Sequence, residues 1–189
     1  MNRLLDISTF KCCTDTLQKS SMPDPVEGEV QKPAVTNSTI TAIDFDKATE
    51  VYAKSLGKVH PPSSVDALYQ HDNGELFFIE FKSSKPSGNE LKWKAVEGLL
   101  TFIELTEIKR SCIRESMTFM VVYNYNGNEN SGETPKEKLR SLQQIRGGQH
   151  PSRGLSLGRL RHLYFKDVKA MTGSEFASYI AEHNWKSMV

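Results

Sequence analysis

Asp66, Glu80 and Lys82 are the residues of this chain whose types and spacing could work together chemically. "LFFIEFKSS", residues 76–84, alternates as a strand does, so Glu80 and Lys82 project from one face of it. "SVDALYQ" alternates too, and "HDNG" joins the two segments in the manner of a hairpin turn. A loop of Asp72, Asn73 and Gly74 pairs His71 with Glu75 and sets Asp66 opposite Glu80. That register gathers Val65, Ala67, Tyr69, Phe77, Ile79 and Phe81 on one apolar face, and Asp66, Leu68, Gln70, Phe78, Glu80 and Lys82 on the other. A two-residue loop would scatter both sets, so the hydrophobic pattern selects the first register. Opposed carboxylates repel and add nothing to a sheet. A divalent cation between them removes the conflict, since Mg²⁺ takes hard oxygen ligands, usually one or two carboxylates with waters and phosphate oxygens. A lysine on the same side can bind a phosphate oxygen, orient a water or stabilise developing charge. Two carboxylates and a lysine around a metal ion suit phosphodiester hydrolysis. The competing structural reading is a plain ion pair of Glu80 with Lys82 or Lys92 on an exposed sheet face.

The elements that must position these residues are legible in outline. Residues 1–37 read as an N-terminal flexible arm, with three prolines and little apolar periodicity in "KSSMPDPVEGEVQKPAVTNS". Residues 38–189 read as the folded domain. "DFDKATEVYAKSLG" predicts a helix with Phe45, Ala48, Val51, Tyr52 and Leu56 on one face, stopped by Gly57 and "HPPSS". After the hairpin, "SGNELKWKAVEGLLTFIELTEIK" predicts an amphipathic helix, with Ser87 or Asn89 as cap and Glu90 completing a capping box from Ser87. "SMTFMVVYNYNG" is apolar enough for a central strand. "PKEKLRSLQQIR" reads as a short basic helix, "GGQHPSRGLSLG" as a basic loop, and "RLRHLYFKDVKAM" holds another strand. "TGSEFASYIAEHNW" closes as a capped helix with Phe176, Tyr179 and Ile180 inward. The order predicts an α/β fold, a central mixed sheet of about four or five strands flanked by helices. Trp93 and Trp185 read as packing aromatics.

The 189 residues suit one domain, and 38% hydrophobic with 25% charged residues is ordinary for a globular protein. No apolar run is long enough to cross a bilayer and no signal-peptide core is evident, so the expectation is a cytoplasmic protein (nuclear in a eukaryote), not secreted and not on a membrane. Cys12, Cys13 and Cys112 form no disulfide framework and no zinc spacing. Net charge is +1, yet residues 136–170 hold nine basic side chains against Glu137 and Asp167. Such an excess attracts a polyanion. Arg140, Arg146, Arg153, Arg159 and Arg161 are the candidate contacts there, joined by Lys92 and Lys94 in the first turns of the helix after the hairpin.

Asp66 followed fourteen residues on by Glu80-Phe81-Lys82, inside helix–strand–strand–helix–strand, resembles the PD-(D/E)xK nuclease superfamily over roughly residues 40–126. That resemblance implies a restriction-endonuclease-like fold and a metal-dependent nuclease acting on nucleic acid, DNA first, in some relatives as a homodimer. It implies Mg²⁺, with Mn²⁺ as the alternative, held by Asp66, Glu80 and the backbone carbonyl of Phe81, and Lys82 activating the water. Members often add a glutamate from the first helix, where Glu50 is the only one and Asp46, one turn earlier, the other acid. Two departures stand out: Val65 sits where many members have proline, and Glu50 falls about 170° from the apolar stripe of its helix. A catalytically inactive relative that binds nucleic acid, or a protein-interaction module, is the alternative.

Overall fold

A strand apolar on both faces must lie inside a sheet that is covered on both sides. "MTFMVVY", buried along its whole length, is such a strand. The computed structural model describes residues 4–23, 25, 31–83, 88–124 and 157–188. Their strands are β1 (Thr14–Thr16), β2 (Thr41–Asp44), β3 (Ala67–Gln70), β4 (Leu76–Lys82), β5 (Met117–Tyr123) and β6 (Asp167–Thr172), in one sheet of that spatial order. Neighbours are antiparallel from β1 to β4, then parallel from β4 through β6. The helices are α1 (Ser8–Lys11), α2 (Leu17–Ser20), α3 (Phe45–Ser55), α4 (Gly88–Thr106), α5 (Arg110–Ser116) and α6 (Gly173–Glu182), with 3₁₀ helices at Leu4–Asp6 and Leu157–Leu160.

The hairpin takes the register that the alternation selects: Ala67 opposes Ile79, Leu68 opposes Phe78 and Tyr69 opposes Phe77. His71 N–H donates to Glu75 O at 2.8 Å across the three-residue loop, where Gly74 supplies the positive φ of 87° that such a loop needs. Each face of the sheet carries its own aromatic layer. Phe78 meets Phe45 at 5.0 Å and Phe102 at 5.7 Å, under α3 and α4. On the opposite face Trp185 stacks on Tyr69 at 4.1 Å and contacts Phe77, while Phe81 meets Phe176 of α6. Glu80 and Lys82 share the Phe78 face, so they point at the α3–α4 layer rather than at open water.

Three expectations need correction. Six strands, rather than four or five, form the sheet among the described residues, because "TDT" and "TAID" pair as β1 and β2. The described part of the expected arm is built into the fold: Leu4, Phe10, Cys13, Leu17 and Val35 are core residues, and Phe10 contacts both Phe45 and Phe102. Burial of these few large side chains outweighs the polar composition of the segment. Trp93 does not pack; it is 63% exposed, while Trp185 is 6% exposed. The expected basic helix and loop between β5 and the second 3₁₀ helix lie outside the described residues.

Two caps fall where the sequence signals them. Asp44 accepts the Lys47 N–H at the start of α3, and Thr172 with Glu175 forms a capping box on α6. Strand β2 is held from further along the chain as well. Its Thr41 N–H donates to Ser187 Oγ, and Met188 N–H donates to Thr41 O, both at 3.0 Å. No helix among the described residues is long and apolar enough to cross a membrane.

Candidate active site

Asp66 ends the loop into β3 and is anchored twice. Its backbone carbonyl accepts from Phe45 N–H at 3.1 Å, and its Oδ2 accepts from Phe81 N–H at 2.5 Å. The acid therefore continues the β3–β4 pairing with its side chain, at the point opposite Glu80. In an extended strand one residue's N–H and C=O face the same neighbour, so the Phe81 carbonyl lies on the Asp66 side of β4.

Glu80 is wholly buried. Its Oε1 lies at ion-pair distance from two ammonium groups, Lys94 at 2.9 Å and Lys82 at 3.0 Å, yet neither carboxylate oxygen has a well-formed hydrogen bond. Lys94, from α4, reaches Asp66 Oδ1 at 3.5 Å and so bridges the two acids. Lys82 also ion-pairs with Glu90 of α4. Asp46, on α3, accepts a hydrogen bond from Ser64 and lies within the field of Lys94 and Asp66.

Burial acts first on all three inner acids. It raises Asp66 well above the usual carboxylate range, with Glu80 adding repulsion that Lys94 only partly offsets. Burial likewise raises Glu80 against the pull of Lys94 and Lys82, and raises Asp46 against the Ser64 hydrogen bond. For the lysines burial works downward but loses: Glu90 and Glu80 carry Lys82 upward, and Asp66 with Glu80 carries Lys94 upward. Both amines are thus cationic, and the acids compete for too little positive charge.

Asp66, Glu80, Phe81 and Lys82 come together; Glu50 does not join them. It is exposed and pairs with Lys54 at 3.6 Å. The buried face of α3 is Phe45, Ala48, Thr49 and Ala53, while Val51 and Leu56 are exposed, so the helix is rotated from the stripe read in the sequence. That rotation brings Asp46 to the cluster. Lys94 serves the acids directly, whereas Lys92 pairs with none of them; burial and the Arg159 charge push its amine down. Arg161 is engaged with Asp167 at 3.0 Å, at the start of β6, alongside Thr118 and remote from Lys82. Arg140, Arg146 and Arg153 lie outside the described residues, as does Ser87.

Glu90 and Lys94 were the less visible members. Their i, i+4 spacing places them on one side of α4, but a capping box accounts for Glu90 equally well, and Lys92 and Lys94 are chemically alike.

Among the described residues no three His, Cys, Asp or Glu side chains are disposed to hold a metal ion as they stand; the Lys94 ammonium bridges Asp66 and Glu80 instead. The donor chemistry nevertheless fits a hard divalent cation. Asp66, the unpartnered Glu80 Oε2 and the Phe81 carbonyl are all oxygens, and a buried carboxylate oxygen without a partner is costly unless something binds it. Compared with known proteins, the chain matches no family model, and no curated protein or solved structure stands as a match to it.

Proposed function

We propose that this chain is a metal-dependent nuclease of the PD-(D/E)xK kind with a restriction-endonuclease-like core, acting on DNA first among nucleic acids. The observation that carries the reading is a charge imbalance in a buried place. Among the described residues the inner acids Asp46, Asp66 and Glu80, with half-exposed Glu90 on the rim, meet only Lys82 and Lys94, an excess of negative charge that protons or a divalent cation can balance. The order α3, β3, β4, α4, β5, with β4 parallel to β5, supports the same reading.

In this reading Asp66, Glu80 and the Phe81 carbonyl hold Mg²⁺, or Mn²⁺. When bound, the ion supplies Lewis-acid stabilisation of the phosphoryl group and acidifies water. Lys82, at the open end of β4 and pinned by Glu80 and Glu90, holds the attacking water or the phosphate oxygen in place. Lys94 offsets part of the charge on Asp66 and Glu80, and Asp46 adds negative potential beside Asp66.

A second reading is favoured by one observation. Because Lys94 already bridges Asp66 and Glu80, the cluster could be a structural ion network in a binding module without hydrolysis. Cleavage of plasmid, linear duplex, single strands and RNA, with and without Mg²⁺, separates the two. Mg²⁺-dependent cutting that is lost in Lys82→Ala and Asp66→Asn supports the nuclease. Binding without cutting supports the module, and equal cutting by the variants refutes the assigned site.

A further inference from the structure

Cys12 and Cys13 follow the single turn of α1 and precede β1, and backbone hydrogen bonds hold both in place. The Cys12 N–H donates to Ser8 O at 3.3 Å, the Cys13 N–H donates to Phe10 O at 3.1 Å, and the Cys13 carbonyl accepts the Asp44 N–H at 2.7 Å. Cys12 is exposed and Cys13 is buried, yet their sulfurs lie 3.7 Å apart. The thiol that solvent reaches is thus backed by a second one in contact with it. Burial, with Cys12 alongside, pushes the Cys13 thiol up to about 11, so it is protonated at neutral pH.

This geometry selects among the partners of a dithiol. A direct disulfide suits it poorly. The peptide joining the two residues is trans, which sets their Cα atoms about 3.8 Å apart, below the roughly 4.4–6.8 Å that disulfides span. A bond closed under that strain is readily reduced. A single atom inserted between the sulfurs fits better. With bonds of about 2.3 Å, the length between zinc and sulfur, sulfurs 3.7 Å apart subtend roughly 107° at that atom. A linear two-coordinate ion would need them about 4.6 Å apart at the same bond length. Tetrahedral zinc accepts the angle but wants two further ligands and deprotonated thiols. Among the described residues no three His, Cys, Asp or Glu side chains are disposed to supply such a set. A pyramidal trivalent metalloid that already carries one organic group needs only the two sulfurs.

We propose that Cys12 and Cys13 form a dithiol site for trivalent arsenic, taken up from an organic arsenoxide. Cys12 attacks first and Cys13 closes the chelate. Both S–H bonds and the arsenic–oxygen bond break, two arsenic–sulfur bonds form, and the oxygen leaves with both protons as water. Arsenic stays trivalent throughout, so no oxidant or reductant takes part. Nothing in this site depends on the nuclease reading.

Phenylarsine oxide, added to the reduced full chain under argon and followed by intact-mass spectrometry, is the probe. One arsenical less one water is expected to stay bound in excess glutathione and to leave when 2,3-dimercaptopropanol is added. Cys12→Ser should make the adduct about 10²- to 10⁴-fold easier for glutathione to displace, the range by which a second, intramolecular contact raises avidity. Cys13→Ala should do the same, and Cys112→Ser should change nothing. Because Cys12 is exposed, its variant reads the site even if loss of a core side chain unfolds the Cys13 variant.

Glutathione stripping the adduct from the wild type as readily as from Cys12→Ser would overturn the proposal. So would an adduct that forms only after unfolding in urea, the result for a Cys13 sealed from the reagent. Ready closure of a Cys12–Cys13 disulfide in a reducing glutathione buffer would also sink it, since the pair would then be an oxidation switch rather than a chelating site.

Discussion

Lys94→Met removes one charge from the acid cluster while keeping much of the side chain's length and bulk. The Lys94 side chain is 22% exposed and its ammonium lies 2.9 Å from Glu80 and 3.5 Å from Asp66. At an effective dielectric of about 20, each contact is worth roughly 5 kcal/mol of gross Coulomb attraction. Most of that is cancelled by the desolvation already incurred in burying the charges. What the substitution exposes is the stranded partner, and removing one member of a buried pair typically costs about 3–5 kcal/mol. In a domain of this size that lowers Tm by roughly 10 °C. Two routes should relieve the loss: protonation of the acids, so the gap between variant and wild type narrows towards about pH 5, and Mg²⁺, which should stabilise the variant more than the wild type. Glu80→Gln in the Lys94→Met background should restore stability, since removal of both charges is often near neutral. Thermal melts with and without millimolar Mg²⁺ make the measurement. A variant that melts with the wild type at neutral pH, or a double variant less stable than Lys94→Met alone, would show that Lys94 is not the counter-ion of the cluster.

Four further outcomes are expected. Glu50→Gln should leave cleavage unchanged and stability within about 0.5 kcal/mol, as its pairing with Lys54 is an exposed one on α3, whereas Asp46→Asn should lower Mg²⁺ affinity or cleavage, measured by calorimetry and by the same nuclease assay. Phe10→Ala should destabilise the whole domain by about 3–5 kcal/mol in urea denaturation; a loss below 1 kcal/mol, in the manner of a surface site, would return residues 4–20 to the status of an arm. Without metal, stability should fall as pH rises from about 4. Asp46, Asp66 and Glu80 are raised in the folded state, so the native protein holds more protons than the unfolded chain, and the stability they contribute is full below the unfolded values and lost through the folded ones. Glu75, lowered by Lys166, works the other way at the acid end. Urea midpoints across the range test the slope, and a metal-free stability that climbs from about pH 4 to neutrality would contradict it.

The hairpin was readable because three weak signals agree on it: alternation in both strands, a glycine where the loop turns, and a register that a one-residue slip would ruin. Asp66 opposite Glu80 follows from that arithmetic alone. The rotation of a helix about its own axis was harder to read. On α3 the apolar residues Val51 and Leu56 suggested one face, while the smaller Ala48, Thr49 and Ala53 pack on the sheet, and this exchanges Glu50 for Asp46. On α4 nothing local distinguishes Lys92 from Lys94; only the sheet beneath decides which amine meets the acids. Residues 4–20 were obscured by their polar neighbours, because a short edge strand and two single-turn helices carry almost no periodic pattern. Their burial depends on surfaces that α3 and α4 supply.

Strand β2 is four residues long, yet it receives β1 on one side and, at Thr41, the Ser187 hydroxyl and the Met188 N–H, the first of them 146 positions away. It also leads without a break into the helix that bears Asp46. A chain leaving the ribosome therefore cannot complete this clasp until residue 188 has emerged. The carboxylates of the acid pocket are thus synthesised well before the segment that closes this clasp.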